Sequence, residues 1–282
     1  MIDLHSHTTA SDGEHAPEAL LALAAKAGVK VLAVTDHDTV AGLASAQEAA
    51  RLLGVAFVPG IEVSAFVGRK EVHLLGHFID SAHAALLQVT ERLRGERSGR
   101  MEAMIARAQA LGFPLHMEQV RAIAGDAQLG RPHLARLLVE RGYCTSLQDA
   151  FDRYLGEGRP MTVEREKLQG ADAIRLIREA GGTATLAHPQ SSRVELPELQ
   201  QLAAAGLSGL EVFHMDHHPS VREKWSKLAR QLDLVPTAGS DFHGAKVSPG
   251  RTPGCASMPR ANLAALIARA PRPQWHPAGL SL

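Results

Sequence analysis

Short apolar, β-branched runs alternate with Ala- and Leu-rich stretches at both ends of this 282-residue chain, and that alternation restricts the possible folds more than any other feature. Residues 2–5 read as a strand. Pro17 opens an amphipathic stretch that Gly28 closes, the Pro-first, Gly-last order of a helix. Residues 30–36, KVLAVTD, form a continuous apolar run, as expected of a strand covered on both faces. A helix over 40–53, closed by Gly54, leads to a strand over 55–61. Residues 63–67 and 71–78 read as a pair of strands about a Gly68-Arg69-Lys70 turn. Alternation resumes near residue 170, with helices at 171–180, 198–205 and 221–232. Each of these precedes a strand, at 183–187, 208–213 and 234–238 respectively. Repetition of this kind implies a parallel sheet, and six or seven units would close it into an α/β barrel.

Between these halves the pattern breaks. Residues 84–111 form one long Arg-rich helical stretch, and further helices are expected at 117–124, 133–141 and 146–154. Residues 83–160 therefore read as a small helical domain inserted into a barrel made of 1–82 and 161–282. With 45% apolar and 21% charged residues, the chain can bury a sizeable core and is not a disordered one. Thirty basic residues balance thirty acidic ones, which argues against a globally basic nucleic-acid binder. Cys144 and Cys255 cannot supply a disulfide framework or a cysteine zinc site. The N-terminus, MIDLHSH, shows neither the basic nor the apolar region of a signal peptide, and no apolar run approaches the roughly 20 residues that span a bilayer. The expected setting is cytoplasmic, with both thiols reduced.

Histidine is the unusual component, at 15 residues, and its placement matters more than its number. His5 and His7 follow the first strand and, being two apart, point to the same side of an extended chain. Asp12 lies in the next turn. The second strand ends in Asp36-His37-Asp38, the third leads to Glu62, and His73 sits in the strand that ends at His77. His188 follows the strand TATLA, while Asp241 and His243 follow the strand at 234–238. In an α/β barrel the C-terminal strand ends converge on the face that carries active sites. Imidazoles mixed with carboxylates suit Zn2+, Mn2+ or Fe2+. Any one such histidine is more often an ordinary hydrogen-bonded residue; seven strand ends carrying such groups are not. His15, His83, His116, His217, His218 and His276 lack the pattern and are read as ordinary. His77 is read as supporting or structural, and His214, after EVFH, as able to line the site.

Five ordered strings carry a family resemblance: DLHSHTTASDG (residues 3–13), VTDHD (34–38), the glutamate of GIEVS (60–64), LAHP (186–189) and GSDFH (239–243). They resemble the motifs of the PHP (polymerase and histidinol phosphatase) family, in order and over most of the chain. The resemblance implies a distorted (β/α)7 TIM-like barrel holding two to three divalent ions. It implies that His5, His7, Glu62 and Asp241 hold a first ion. Glu62 would bridge to a second, completed by His73 and His188, and Asp12, His37 and His243 would hold a third. Some family members carry His at the position of Asp12, and a carboxylate there favours a harder ion such as Mn2+.

Within the family, the helical insertion and the string GRPHLAR (130–136) resemble those of the 3',5'-nucleoside bisphosphate phosphatases, relatives of a bacterial 5'-to-3' exoribonuclease. The activity implied is removal of the 3'-phosphate from a nucleotide such as 3'-phosphoadenosine 5'-phosphate (pAp). The expected nucleophile is a hydroxide held between the first two ions, with Glu62, Asp241 and His188 as catalytic groups. His188 and His214 both remain open as the general acid. Arg97 and Arg100, three apart on a helix, and Arg131 and His133, in a Gly-Arg-Pro-His turn, would bind the 5'-phosphate, and His214 is a further substrate-binding candidate lining the site. A solvated helix face is the competing reading for Arg97 and Arg100, and Arg193 is a weaker candidate. Alternatives are a 5'-to-3' exonuclease on short 5'-phosphorylated RNA or DNA, histidinol phosphate hydrolysis, a polymerase-linked proofreading domain and a non-catalytic metal-binding module.

Overall fold

The computed structural model describes residues 1–125, 129–156, 158–163 and 168–275. Two compact units are present: Met1–Val89 with Lys167–Leu282, and Thr90–Glu166. In chain order the elements are β1 (Ile2–Asp3), α1 (Pro17–Lys26), β2 (Val31–Val34), α2 (Leu43–Leu53), β3 (Ala56–Val67), β4 (Lys70–His77) and the long α3 (Ala84–Ala110). Next come α4 (Met117–Ala124), α5 (Arg131–Glu140), α6 (Leu147–Ala150) and a π-helical turn at Phe151–Leu155. The chain then continues through α7 (Gly170–Glu179), β5 (Thr183–Leu186), α8 (Leu196–Ala204), β6 (Gly209–Phe213), α9 (Pro219–Gln231), β7 (Val235–Ala238) and α10 (Arg260–Ile267).

The seven strands follow one another around a single sheet in the order β1 to β7. The ends of the sheet meet, since Leu4 donates its N–H to Ala238 O at 3.0 Å and Ser6 bridges Phe242. The result is a nearly closed α/β barrel. It departs from the all-parallel sheet expected of the sequence alternation, because β3–β4 and β4–β5 pair antiparallel. The cause is local. Only Gly68 and Arg69 separate β3 from β4, and Gly68 sits at φ +59°, so no crossover helix can intervene and the chain must fold back. The strands expected at 55–61 and 63–67 are one continuous strand, β3, whose far half extends past the barrel into this hairpin. The helix expected over 146–154 divides into α6 and the π-helical turn, and α10 carries no earlier expectation.

The barrel core is layered. Ile2, Leu4, Val31, Val58, Phe78 and Val235 form an apolar cluster drawn largely from the strand starts. Leu20, Leu21, Leu32, Leu74, Ile177, Leu210 and Trp225 join the helices to the outside of the sheet. Each such Leu contributes about 1.5–3 kcal/mol of burial. Several buried polar groups, by contrast, stand together: His5, His7 and Asp36 just beyond strand ends, with Glu62 on β3 and Glu211 on β6.

In the second unit, Met101, Met104, Ile105, Leu134, Leu138 and Leu155 form a separate core, with Phe113 edge-on to Tyr143 and Tyr154. This unit begins later than residue 83 because Leu86, in the first turn of α3, is buried in the barrel's own cluster.

Candidate metal centre

Glu62 is the hub. It lies on β3 level with His37, which follows β2, and the two residues are joined by an isolated parallel bridge. Its two oxygens serve different imidazoles. Oε1 meets His73 Nδ1 at 2.8 Å and His188 Nε2 at 3.1 Å. Oε2 meets His5 Nε2 at 3.3 Å, His7 Nε2 at 3.2 Å and His37 Nδ1 at 3.0 Å. Asp241 Oδ1 lies 3.3 Å from both His5 Nε2 and His7 Nε2, and Asp12 Oδ1 lies 3.3 Å from His243 Nε2. Four overlapping groups result: His5, His7, Asp241; His5, Glu62, His188; His37, Glu62, His73; and His7, Asp12, His37, His243. In each, the candidate ligand atoms lie within 4.8 Å of one another.

The remaining ring nitrogens show that this set fits divalent ions. His5 Nδ1 is 3.0 Å from Glu211 Oε1. His243 Nδ1 is 3.0 Å from the carbonyl oxygen of Asp241, which can only accept. Ser191 donates its hydroxyl to His188 O at 2.8 Å and so presents lone pairs to His188 Nδ1 at 2.9 Å. Each partner assigns the proton to Nδ1 and leaves an Nε2 lone pair facing the carboxylates. Metal-binding histidines are oriented in this way, through an acceptor on the far nitrogen. His7 adds a buried Nδ1 atom that has no hydrogen-bond partner.

A family model described as the PHP domain matches residues 3–92. Over 247 residues the chain is 36% identical to the 5'-3' exoribonuclease Rnm of Escherichia coli, covering 86% of this chain and 84% of that protein. The chain belongs to the PHP family. The 3',5'-nucleoside bisphosphate phosphatase of Chromobacterium violaceum is 35% identical, over 86% of this chain and 87% of that one. A Bifidobacterium adolescentis structure described as a metal-dependent phosphoesterase superposes with a TM-score of 0.87 at 30% identity, covering 95% of this chain and 96% of that one. The PHP activity class is hydrolysis of phosphoric esters.

All nine metal ligands expected of a PHP protein, His5, His7, Asp12, His37, Glu62, His73, His188, Asp241 and His243, meet in this cluster. His214 joins its edge, buried, with Nε2 3.6 Å from Asp241 Oδ2. His77 is structural: Nε2 donates to Leu4 O at 2.8 Å. The expected phosphate-binding residues of the insertion belong to the second unit. There Arg100 donates Nε–H to Val163 O at 2.7 Å, and the Arg131 guanidinium lies 5.9 Å from the Phe151 ring centre. His133 is buried, and its Nδ1 accepts the Gly130 N–H at 3.0 Å, which caps the start of α5. The Arg97 side chain lies outside the described residues.

The PHP motifs do not contain Glu211 or Arg251, and sequence reasoning passed over both. Glu211 is wholly buried on β6; Oε1 faces His5, and Oε2 accepts the His188 backbone N–H at 2.7 Å. Its signal was a lone acid within the apolar run GLEVF. Arg251, in the loop after β7, had no comparable signal.

Burial alone would raise the Glu211 carboxyl, but the adjacent His5 overrides it and holds the group down to about 2. Burial works against a charge on His5, yet Glu211, Glu62 and Asp241 together raise that imidazole well above its ordinary value. Burial pushes His37 down to about 3, outweighing Glu62 and Asp12. The carboxylates thus favour positive charge at the centre of the cluster, as a divalent ion would supply.

Proposed function

We propose that this PHP protein removes the 3'-phosphate from nucleoside 3',5'-bisphosphates such as pAp, using two to three divalent ions, with Mn2+ the preferred one. The observation that carries the reading is the division of Glu62, one oxygen toward His73 and His188 and the other toward His5, His7 and His37. A carboxylate placed this way suits a bridge between two ions. His5, His7 and Asp241 would complete the first set and His73 and His188 the second, while Asp12, His37 and His243 would hold a third ion. Bound ions would lower the pKa of water, neutralise phosphoryl oxygens and stabilise the departing oxygen.

The chain's own groups do the positioning. Glu211 and Ser191 keep His5 and His188 in the tautomer that leaves Nε2 free to bind. His214 accepts the Asp216 backbone N–H on Nδ1 at 3.3 Å, so its Nε2 carries the proton and can donate to a phosphoryl oxygen. For the 5'-phosphate the proposal keeps Arg97, Arg100, Arg131 and His133 of the second unit; His133 caps α5 through Nδ1, which leaves its Nε2 for the phosphate. Arg131→Ala would then raise KM on pAp and leave turnover of a 3'-mononucleotide unchanged. The free thiols of Cys144 and Cys255 accord with a reducing, cytoplasmic setting, and no described helix is long and apolar enough to cross a membrane.

A second reading, 5'-to-3' exoribonuclease action on short 5'-phosphorylated RNA, is favoured by the similarity to the Escherichia coli enzyme at almost the same identity. Parallel assays with Mn2+ on pAp and on a 5'-phosphorylated tetraribonucleotide separate the two. The proposal expects the higher kcat/KM on pAp. A higher value on the tetranucleotide transfers the protein to the exoribonuclease reading, and inertness toward both overturns the pair.

A further inference from the structure

Asp241 is gripped from two sides. Its Oδ1 faces His5 and His7, whereas Oδ2 accepts from Arg251 Nη1 at 2.6 Å. The same Nη1 also reaches the Asp241 carbonyl oxygen at 3.1 Å, and Arg251 Nη2 donates to Asp216 Oδ2 at 2.6 Å. Asp241 has a left-handed backbone, φ +50°, a conformation that a non-glycine residue keeps only when its surroundings enforce it. Arg251 holds both the carbonyl and the carboxylate of this one strained residue. Its side chain is 16% exposed, and Asp216, at 64%, anchors the far arm of the fork from the loop after β6.

We propose that Arg251 is a positioning residue that keeps Asp241 a one-oxygen metal ligand and thereby sets the affinity and selectivity of the ion served by His5, His7 and Asp241. The inference rests on the reading of Asp241 as a ligand. A free carboxylate can turn and chelate through both oxygens, a mode that large ions such as Ca2+ accept readily. With Oδ2 committed to a guanidinium, only Oδ1 remains, which suits smaller ions that take single-oxygen carboxylate ligands. Lysine could not replace Arg251 fully, because a point charge on a flexible stem cannot hold Asp241 and Asp216 in one fixed fork.

The test is equilibrium Mn2+ binding, with Ca2+ as competitor, to wild-type protein and to Arg251→Ala, Arg251→Lys and Asp216→Asn, each checked for folding by melting in chelator. Arg251→Ala is expected to weaken Mn2+ at one site by about 10–100-fold, the usual effect of removing a partner that orients a ligand. Ca2+ should then compete better, and Arg251→Lys should recover part of the loss. Wild-type Mn2+ affinity and an unchanged Mn2+/Ca2+ ratio in folded Arg251→Ala overturn the proposal. If Arg251→Ala fails to fold, Asp216→Asn decides: it should show a smaller loss in the same direction, and wild-type binding there also overturns the proposal. Failure of the wild type itself to bind Mn2+ would instead remove the underlying reading of the metal centre.

Discussion

His5 Nδ1 and Glu211 Oε1 lie 3.0 Å apart, and both side chains are completely buried. Glu211 accepts a second bond, from the backbone N–H of His188, a residue at φ +25°. One carboxylate therefore fixes the ring of one proposed ligand and the strained backbone of another.

Glu211→Gln preserves shape but can offer an acceptor to only one of these two donors. The amide N–H would face either the His5 ring N–H or the His188 backbone N–H. We expect Mn2+ affinity to fall by about 10–100-fold, read from a metal titration of folded protein. Wild-type affinity in this variant would show that Glu211 does not orient the ligands.

Gly239→Ala tests how tightly the same region is packed. A Cβ at this position would lie 2.1 Å from His5 Cβ and 2.6 Å from Glu211 Oε1. Neither neighbour can retreat without displacing the other. Overpacking of this kind costs about 1–3 kcal/mol, so chemical denaturation of the metal-free protein should show a loss of that order. Metal binding should weaken together with stability, and an unchanged denaturation midpoint would contradict the packing described.

The gathering of these His, Asp and Glu residues was legible in the sequence, because most of them follow an apolar run and barrel geometry brings strand ends together. The sequence concealed what orients them. Arg251 is distant in sequence from Asp216 and sits outside any periodic element, so only the folded loops bring the two together. The antiparallel β3–β4 pair was half visible: the two-residue Gly68-Arg69 connection signalled a hairpin, yet the strand–helix alternation elsewhere suggested a parallel sheet. The capping by His133 was not legible: in the Gly-Arg-Pro-His turn its Nδ1 satisfies a helix-start N–H, a bond that leaves Nε2 for the phosphate contact proposed for it.

His77 gives the fold an acid sensitivity. Burial lowers its pKa from the ordinary 6.5 to about 4. Between those values the unfolded chain takes up a proton that the folded one does not. The contribution of His77 is therefore complete above pH 6.5 and is lost as pH falls toward 4. The loss amounts to about 3 kcal/mol at 1.36 kcal/mol per unit. His77→Gln, which can still donate to Leu4 O, should flatten the fall in unfolding free energy over that range. Equal pH slopes in the two proteins would refute the assignment.

Metal should also stabilise the fold, since the proposed ligands come from most of the strands. Mn2+ at 100 times its dissociation constant adds about 2.7 kcal/mol, visible as a rise in Tm over chelator-treated protein. Glu62→Gln, which weakens the shared ligand, should lose most of that rise. An equal rise in both proteins would place the ions elsewhere.

Phosphate release from pAp by chelator-stripped protein, followed as Mn2+ is added back, decides whether this chain is a metal-dependent phosphatase. Stripped protein should release none, with full recovery only beyond one equivalent of Mn2+ per chain. Undiminished release without metal, or none after reconstitution, would overturn that function.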